Sequence, residues 1–289
     1  MKYIDREGNV TIEESGQDKI LYRMYNSAVG RIVLRLLIRP SVSKAAGCFL
    51  DQKCSKVLIQ PFIQKNNIDM SLYEEKEYAS YNEFFTRQIR KEHRPIVEDE
   101  NVLISPCDGK LSVYPVEENS HFKIKNTDYT LKSLLRSGKL AQKFMGGTIC
   151  IFRLTVDDYH RFCYVDNGRK SGNYHIPGVF HTVNPAANDV YPIYKENTRE
   201  FSLLKSEHFK TVLMMEVGAL LVGRIVNHQE AGIVQRGTEK GMFEFGGSTV
   251  ILLFQKDAVE IEKELLQNTE NGYETIVKMG EPIGRKRQV

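Results

Sequence analysis

Beyond about residue 101 the sequence breaks into short runs rich in Val, Ile, Leu, Tyr and Phe, separated by Gly, Asn and Asp. They read VLISPCDG (102–109), KLSVYPV (110–116), GGTICIFRLT (146–155), YHRFCYVDNG (159–168), VLMMEVGALLVGRIVN (212–227) and GIVQRG (232–237). Runs of this length and composition, punctuated by turn residues, fit strands and not helices. They predict a β-rich domain, antiparallel or barrel-like. One run stands apart. In FEFGGSTVILLF (243–254) a polar Gly-Gly-Ser-Thr knot interrupts what is otherwise one buried strand. Glycines let a backbone bend or be closely approached, so a bulge or tight turn is the plain reading. A hydroxyl placed straight after them, at the edge of a rigid apolar segment, is the other.

The residues before 101 have a different texture. ILYRMYNSAVGRIVLRLLIR (20–39) has a helical pattern that Pro40 stops. Arg31, Arg35 and Arg39 recur every fourth residue and form one basic stripe, with Ile32, Val33, Leu36 and Leu37 around them. An apolar helix edged by arginine suits the boundary between acyl chains and phosphates; a core helix with snorkelling arginines has the same pattern. Val57-Leu-Ile-Gln-Pro-Phe-Ile63 adds a second apolar stretch. Ser80-Tyr-Asn-Glu83 is a capping box expected to open a helix over 82–93, ended by Pro95. A late helix is expected over 257–268, followed by strand and turn over 276–284. The expected architecture is therefore α+β: an N-terminal helical region over 1–100 and a β-rich, barrel-sandwich-like domain over 101–289.

Composition narrows the partners. The 289 residues carry a net charge of only +3, so no global field calls for nucleic acid. Five scattered cysteines without CxxC spacing argue against a disulfide framework or a zinc site and for a reducing compartment. The opening MKYIDREGNVTIEES is too polar for a secretory signal. No window holds the roughly 18 apolar residues a membrane span needs. A soluble or peripheral protein is expected, with no metal.

Three places combine a reactive side chain with a turn. Asp108 precedes Gly109 in SPCDG, His160 lies in VDDYHRFC (156–163), and Ser248 follows Gly247. Each alone reads as an ordinary turn aspartate, a satisfied polar histidine or a bulge serine. Together they are the residue types that make serine nucleophilic, since a base must take its proton and works best when its tautomer is fixed.

The order and wording of the motifs resemble the phosphatidylserine decarboxylase family over roughly residues 20 to 254. The resemblance rests on YNEFFTR (81–87), HRPI (93–96), SPCDG (105–109), DYHR (158–161), IPG (176–178), TVNP (182–185), VGA (217–219) with VG (222–223), and RGTEKGMFEFGGST (236–249). It implies a pyruvoyl-dependent enzyme that cuts itself between Gly247 and Ser248 into chains 1–247 and 248–289. Ser248 would attack the Gly247 carbonyl, and elimination and hydrolysis would leave a covalent pyruvoyl group, with no external cofactor. Gly246 and Gly247 would keep the carbonyl reachable and free amides near the oxyanion. The pyruvoyl group would take phosphatidylserine as a Schiff base and release phosphatidylethanolamine and CO2.

Further expectations follow from the same resemblance. Arg31, Arg35, Arg39 and Asn184 would contact anionic lipid or substrate. The protein would work as a homodimer of processed two-chain units, peripheral on the cytoplasmic side of the cell membrane. Asp108 would support the base. One departure concerns the base itself: the family's Tyr-His-x-x-His keeps its first histidine as His160 but holds Cys163 at the second. His160 acting in both steps, His181 from a neighbouring loop, or a titrating Cys163 are the three ways to fill the gap. Two rival classes remain: a pyruvoyl enzyme or serine hydrolase acting on a soluble substrate such as an amino acid, and a non-catalytic membrane-binding β-domain.

Overall fold

A computed structural model describes residues 2–12, 24–25, 27–117, 121–124, 127–182, 193–219, 224–244 and 248–288. Gly246, Gly247 and Asn184 lie outside the described residues, as do the side chains of Arg31 and Arg35. The described residues form a large sheet with helices, in keeping with a mixed α and β architecture.

Eleven strands make that sheet. At its centre Ser248–Phe254 lies between Thr211–Val217 and Thr148–Leu154, antiparallel to both. Gly109–Pro115 pairs with the far side of Thr148–Leu154, and Glu274–Val277 pairs with Gly109–Pro115. Beyond it Lys2–Ile4 and Val10–Ile12 extend the sheet, so the first residues of the chain join it; Lys2–Ile4 runs parallel to its neighbour. Every residue of Ser248–Phe254 is buried. That explains its continuous apolar run: a strand with both faces covered has no reason to alternate.

The two faces have separate cores. Val250, Leu252 and Phe254 join Phe152, Leu154, Val212 and Met214 on one face. Ile251 and Leu253 join Ile149, Ile151, Leu213 and Met215 on the other, beneath Leu131 and Leu134 of the short helix Leu131–Leu135 and Phe144 just after a second, Gly138–Gln142. Since side chains alternate along a strand, Ser248 faces the first core and Thr249 the second. A three-stranded ribbon covers the first face. It runs Ile225–Asn227, Glu239–Phe243, Arg161–Cys163, and contributes Phe162, Cys163 and Phe243 to that core.

Several expected elements are redrawn. The first described helix spans Ala28–Leu37, and Pro40 then serves as the opening residue of a second, Pro40–Leu50, where its missing N–H costs nothing. The helix expected over 82–93 is only Tyr81–Phe85. Ser80 caps it as foreseen, accepting from the Glu83 N–H at 3.2 Å. It stops where the following backbone pairs elsewhere: Ile89 bridges to Tyr73, the Gln88 carbonyl accepts from the Glu74 N–H at 2.9 Å, and the Thr86 carbonyl accepts from the Arg161 guanidinium at 2.9 and 2.7 Å. The Arg90 N–H goes to Leu72 O instead. The late helix is Lys263–Glu270, preceded by a strand, Val259–Ile261, whose alternate residues are buried. The run 212–227 divides between two sheets as Thr211–Val217 and Ile225–Asn227.

Candidate functional site

Ser248 opens the central strand opposite Leu154 of the neighbouring one. It is fully buried, and among the described residues its Oγ has no hydrogen-bond partner. A buried hydroxyl left in this state costs about 1–3 kcal/mol. On its own face, the strand to one side presents Leu154 and Phe152, both in the apolar core.

Six residues after Leu154 the backbone reaches His160 and enters the ribbon.

 His160 is buried, and its carbonyl accepts from the Phe243 N–H at 2.9 Å, so it sits on the ribbon beside the strand that leads towards Ser248. Its Nδ1 lies 2.8 Å from the Asp158 carbonyl oxygen. A carbonyl can only accept, so Nδ1 carries the proton and Nε2 is the basic nitrogen of the neutral ring. The Phe85 ring packs against the imidazole at 4.3 Å between centroids.

The Asp158 turn that orients this ring is itself fixed. Lys110 Nζ donates to the Asp158 carboxylate at 2.7 Å, and the Thr155 N–H does so at 2.7 Å. Burial alone would raise the Asp158 carboxyl, but Lys110 and Thr155 hold it below its ordinary value. Lys110 was not among the residues expected at the site. Its signal in the sequence was faint: a charge at the second position of a strand whose first five residues are all buried.

Asp108 lies at the same end of the sheet, one strand beyond Leu154 and so about 10 Å across the sheet from Ser248. Its carboxylate is not bound to His160. Arg94 donates to it from Nε at 2.8 Å and from the second guanidinium nitrogen, and the Met279 N–H donates at 2.9 Å. Lys278 Nζ stands 3.8 Å away. Arg94 lies within the HRPI motif, yet nothing in its spacing from Asp108 announced the pairing. Cys163 lies close by, its N–H donating to Pro106 O at 2.8 Å. Burial pushes its thiol up to about 12, so the thiolate is absent near neutral pH.

His181 is at the same end of the sheet but on the other face. Asn197 donates from Nδ2 to the carbonyls of His181 and Gly218 at 2.7 and 2.8 Å, and Gly218 follows the strand that pairs with Thr249. The imidazole points to the second core, where Tyr25 Oη lies 3.2 Å from Nδ1. Burial lowers its pKa to about 4. Arg39, the member of the basic stripe whose side chain is described, is exposed and belongs to the N-terminal helices. Asp108, His160 and Ser248 are thus gathered at one end of the sheet, with His181 behind it.

A solvent-free hydroxyl on the same side of a sheet as a histidine with one committed nitrogen is equipment for acid–base chemistry inside the protein. The pattern of the phosphatidylserine decarboxylase family matches residues 81–285, and the chain belongs to that family. It is 44% identical over 272 residues to phosphatidylserine decarboxylase proenzyme 2 of Clostridium acetobutylicum, covering 94% of this chain and 92% of the relative. A phosphatidylserine decarboxylase proenzyme of Clostridium botulinum strain Langeland is 40% identical over 99% of this chain and 100% of its own. One from Clostridium perfringens is 42% identical over 95% of this chain and 96% of its own.

Proposed function

We propose that the protein is a proenzyme that cuts itself between Gly247 and Ser248 and then decarboxylates phosphatidylserine to phosphatidylethanolamine and CO2. The observation that carries this reading is the complete burial of Ser248 with an Oγ that has no partner among the described residues. A serine closed off from solvent is poorly placed to attack an external substrate, as a hydrolase must. Attack on the carbonyl just before it in the chain needs no access.

In that step the Ser248 Oγ bonds to the Gly247 carbonyl carbon as its proton passes to His160 Nε2. The C–N bond then breaks, and the proton is returned to the Ser248 nitrogen, leaving an ester and a free amine. Loss of the Ser248 α-proton expels the Gly247 carboxylate, and hydrolysis with release of ammonia leaves a pyruvoyl group on chain 248–289. When formed, that group supplies a carbonyl for the substrate amine and an electron sink for the breaking Cα–carboxylate bond. The rest of its strand would hold that terminal group in place, and the cut beside it would give the substrate amine its way in. His160 is the residue placed to move protons at Cα as well as at Oγ. Asp108 acts at a distance, fastening Arg94 and the Met279 backbone around the site, and Cys163 stays protonated.

The same reading assigns residues 1–100 to lipid docking and 101–289 to chemistry. Among the described residues, five of the nine large apolar side chains that stand exposed, Ile32, Val33, Phe49, Val57 and Leu58, come from one short part of the chain, among exposed Arg39, Lys44, Lys53 and Lys56. Apolar side chains ringed by cations suit the surface of an anionic bilayer, where each basic group contributes about 1 kcal/mol. Among the described residues no helix is long and apolar enough to cross a membrane. On this reading the protein would work at the cytoplasmic surface of the cell membrane, as a homodimer of two-chain units.

Intact-mass measurement of freshly purified protein tests the central claim. The 33.2 kDa chain should appear as two fragments, the smaller with a pyruvoyl-blocked terminus. Ser248→Ala should stay whole and make no ethanolamine lipid. A wild-type chain that remains whole while it decarboxylates phosphatidylserine would refute the reading.

A further inference from the structure

A second charged constellation lies on the Ser248 face of the sheet. Glu216 and Lys240 are both fully buried, with Lys240 Nζ donating to the Glu216 carboxylate at 2.7 Å. Lys240 also donates to Asn227 Oδ1 at 2.5 Å, and Asn227 Nδ2 reaches the second Glu216 oxygen at 3.2 Å and Glu200 at 2.5 Å. Glu216 comes from Thr211–Val217 and pairs with Val250, two residues along the central strand from Ser248. Lys240 and Asn227 come from the ribbon. The network therefore fastens the ribbon to the sheet close to the serine.

Stability does not require this arrangement. Taking two charges out of water is costly, and an apolar pair of similar volume commonly serves as well or better. The local backbone is shaped around the pair all the same. The ribbon's register shifts between Glu239 and Gly241, which leaves Lys240 as the unmatched residue of an irregularity. A bulge re-aims a side chain, and here the lysine passes over the Phe162 ring, 5.4 Å from its centroid, towards Glu216. Gly241 then admits the close neighbour: a Cβ there would lie 2.1 Å from the Val226 carbonyl oxygen. Three residues beyond Lys240, the Phe243 N–H holds the His160 carbonyl.

We propose that the buried Glu216–Lys240 pair is a positioning device for self-cleavage, setting the ribbon that carries His160 against the face of the sheet that carries Ser248. The pair touches neither reacting atom; it acts through His160 and through the strand that leads to the cut. The proposal rests on the self-cleavage reading above.

The test compares cleavage rate with stability in the full-length chain. In the double variant E216L/K240M the charges go together and none is left buried alone. It should melt within a few degrees of the parent yet cleave at least tenfold more slowly, as read by intact mass against time. A purely structural pair would shift the melting temperature and leave the rate per folded molecule unchanged, and that result would overturn the proposal. Asn227→Leu provides a second route should the double variant not fold, since it loosens the anchor and keeps the ion pair. It should cleave about threefold more slowly, and a parental rate in that folded variant would count equally against the idea. Ser248→Ala, run alongside, separates the two levels: cleavage in that variant would sink the underlying reading, whatever the double variant does.

Discussion

The two faces of the central strand carry one histidine each, and they differ in what the histidine is prepared to do. On the ribbon face, a carbonyl commits one nitrogen of His160 as donor and so leaves the other as the basic site. On the helix face, His181 has Tyr25 at one nitrogen and the Glu196 carboxylate 3.4 Å from the other, with burial holding the ring neutral. The first is a ring oriented by backbone with its basic nitrogen defined; the second is a neutral ring fitted between side chains. Two equally buried histidines at one end of a sheet are thus told apart by their hydrogen-bond partners and by the face they occupy, not by exposure.

The largest effect that could break this contrast is on cleavage. His160→Ala should slow it by at least about 100-fold, the lower end of what a positioned acid–base group contributes. His181→Asn should leave it within about threefold of the parent by the same scale. Intact mass over time measures both, and the opposite outcome in folded proteins would exchange the roles of the two faces. Next comes Arg94→Met, which leaves the Asp108 carboxylate without its main partner in a buried site. We expect a loss of about 3 kcal/mol, measured by chemical denaturation. An unchanged midpoint would remove the Arg94–Asp108 pair from the account of how this end of the sheet is held.

The smallest effect is a pH dependence. The folded protein keeps His181 neutral down to about pH 4, whereas an unfolded chain protonates it near 6.5. The unfolded state therefore binds the proton first as pH falls. The contribution is complete above about pH 6.5 and drains away between there and pH 4. Thermal melts of His181→Asn should be flatter across that window than those of the parent. Parallel curves would show that His181 is not held neutral by its surroundings.

Much of this was legible in the residues. The apolar run around Ser248 announced a strand covered on both faces, and the chain supplies one. The short turn-bounded runs after residue 101 announced the sheet. The extent of the helix after Ser80 was not legible, because the residues that follow it pair with 72–74, and Arg161, 75 positions on, takes the Thr86 carbonyl. No local propensity records that competition. Asp108 and His160 were both picked out, but their partners were not: each is held by a group, Arg94 or the Asp158 backbone, that spacing alone does not reveal. Glu216 left a clue that went unread: a lone carboxylate inside the run VLMMEVGA needs a buried cation, and Lys240 is that cation.

The neighbours of Ser248 have an implication for timing. Its partner Leu154, and the Glu216 that pairs with Val250 two residues along, arrive from distant stretches of the polypeptide, and the ribbon with His160 must also be seated. On a growing or denatured chain the hydroxyl is an ordinary serine next to an ordinary amide. On the proposed reading the cut would become available only once these neighbours are in place, in a fold where residues 248–288 are woven through two sheets and a helix. Maturation of this kind would report on successful assembly: a misassembled copy would stay in one piece and inert, and a severed one would carry its own certificate of having folded.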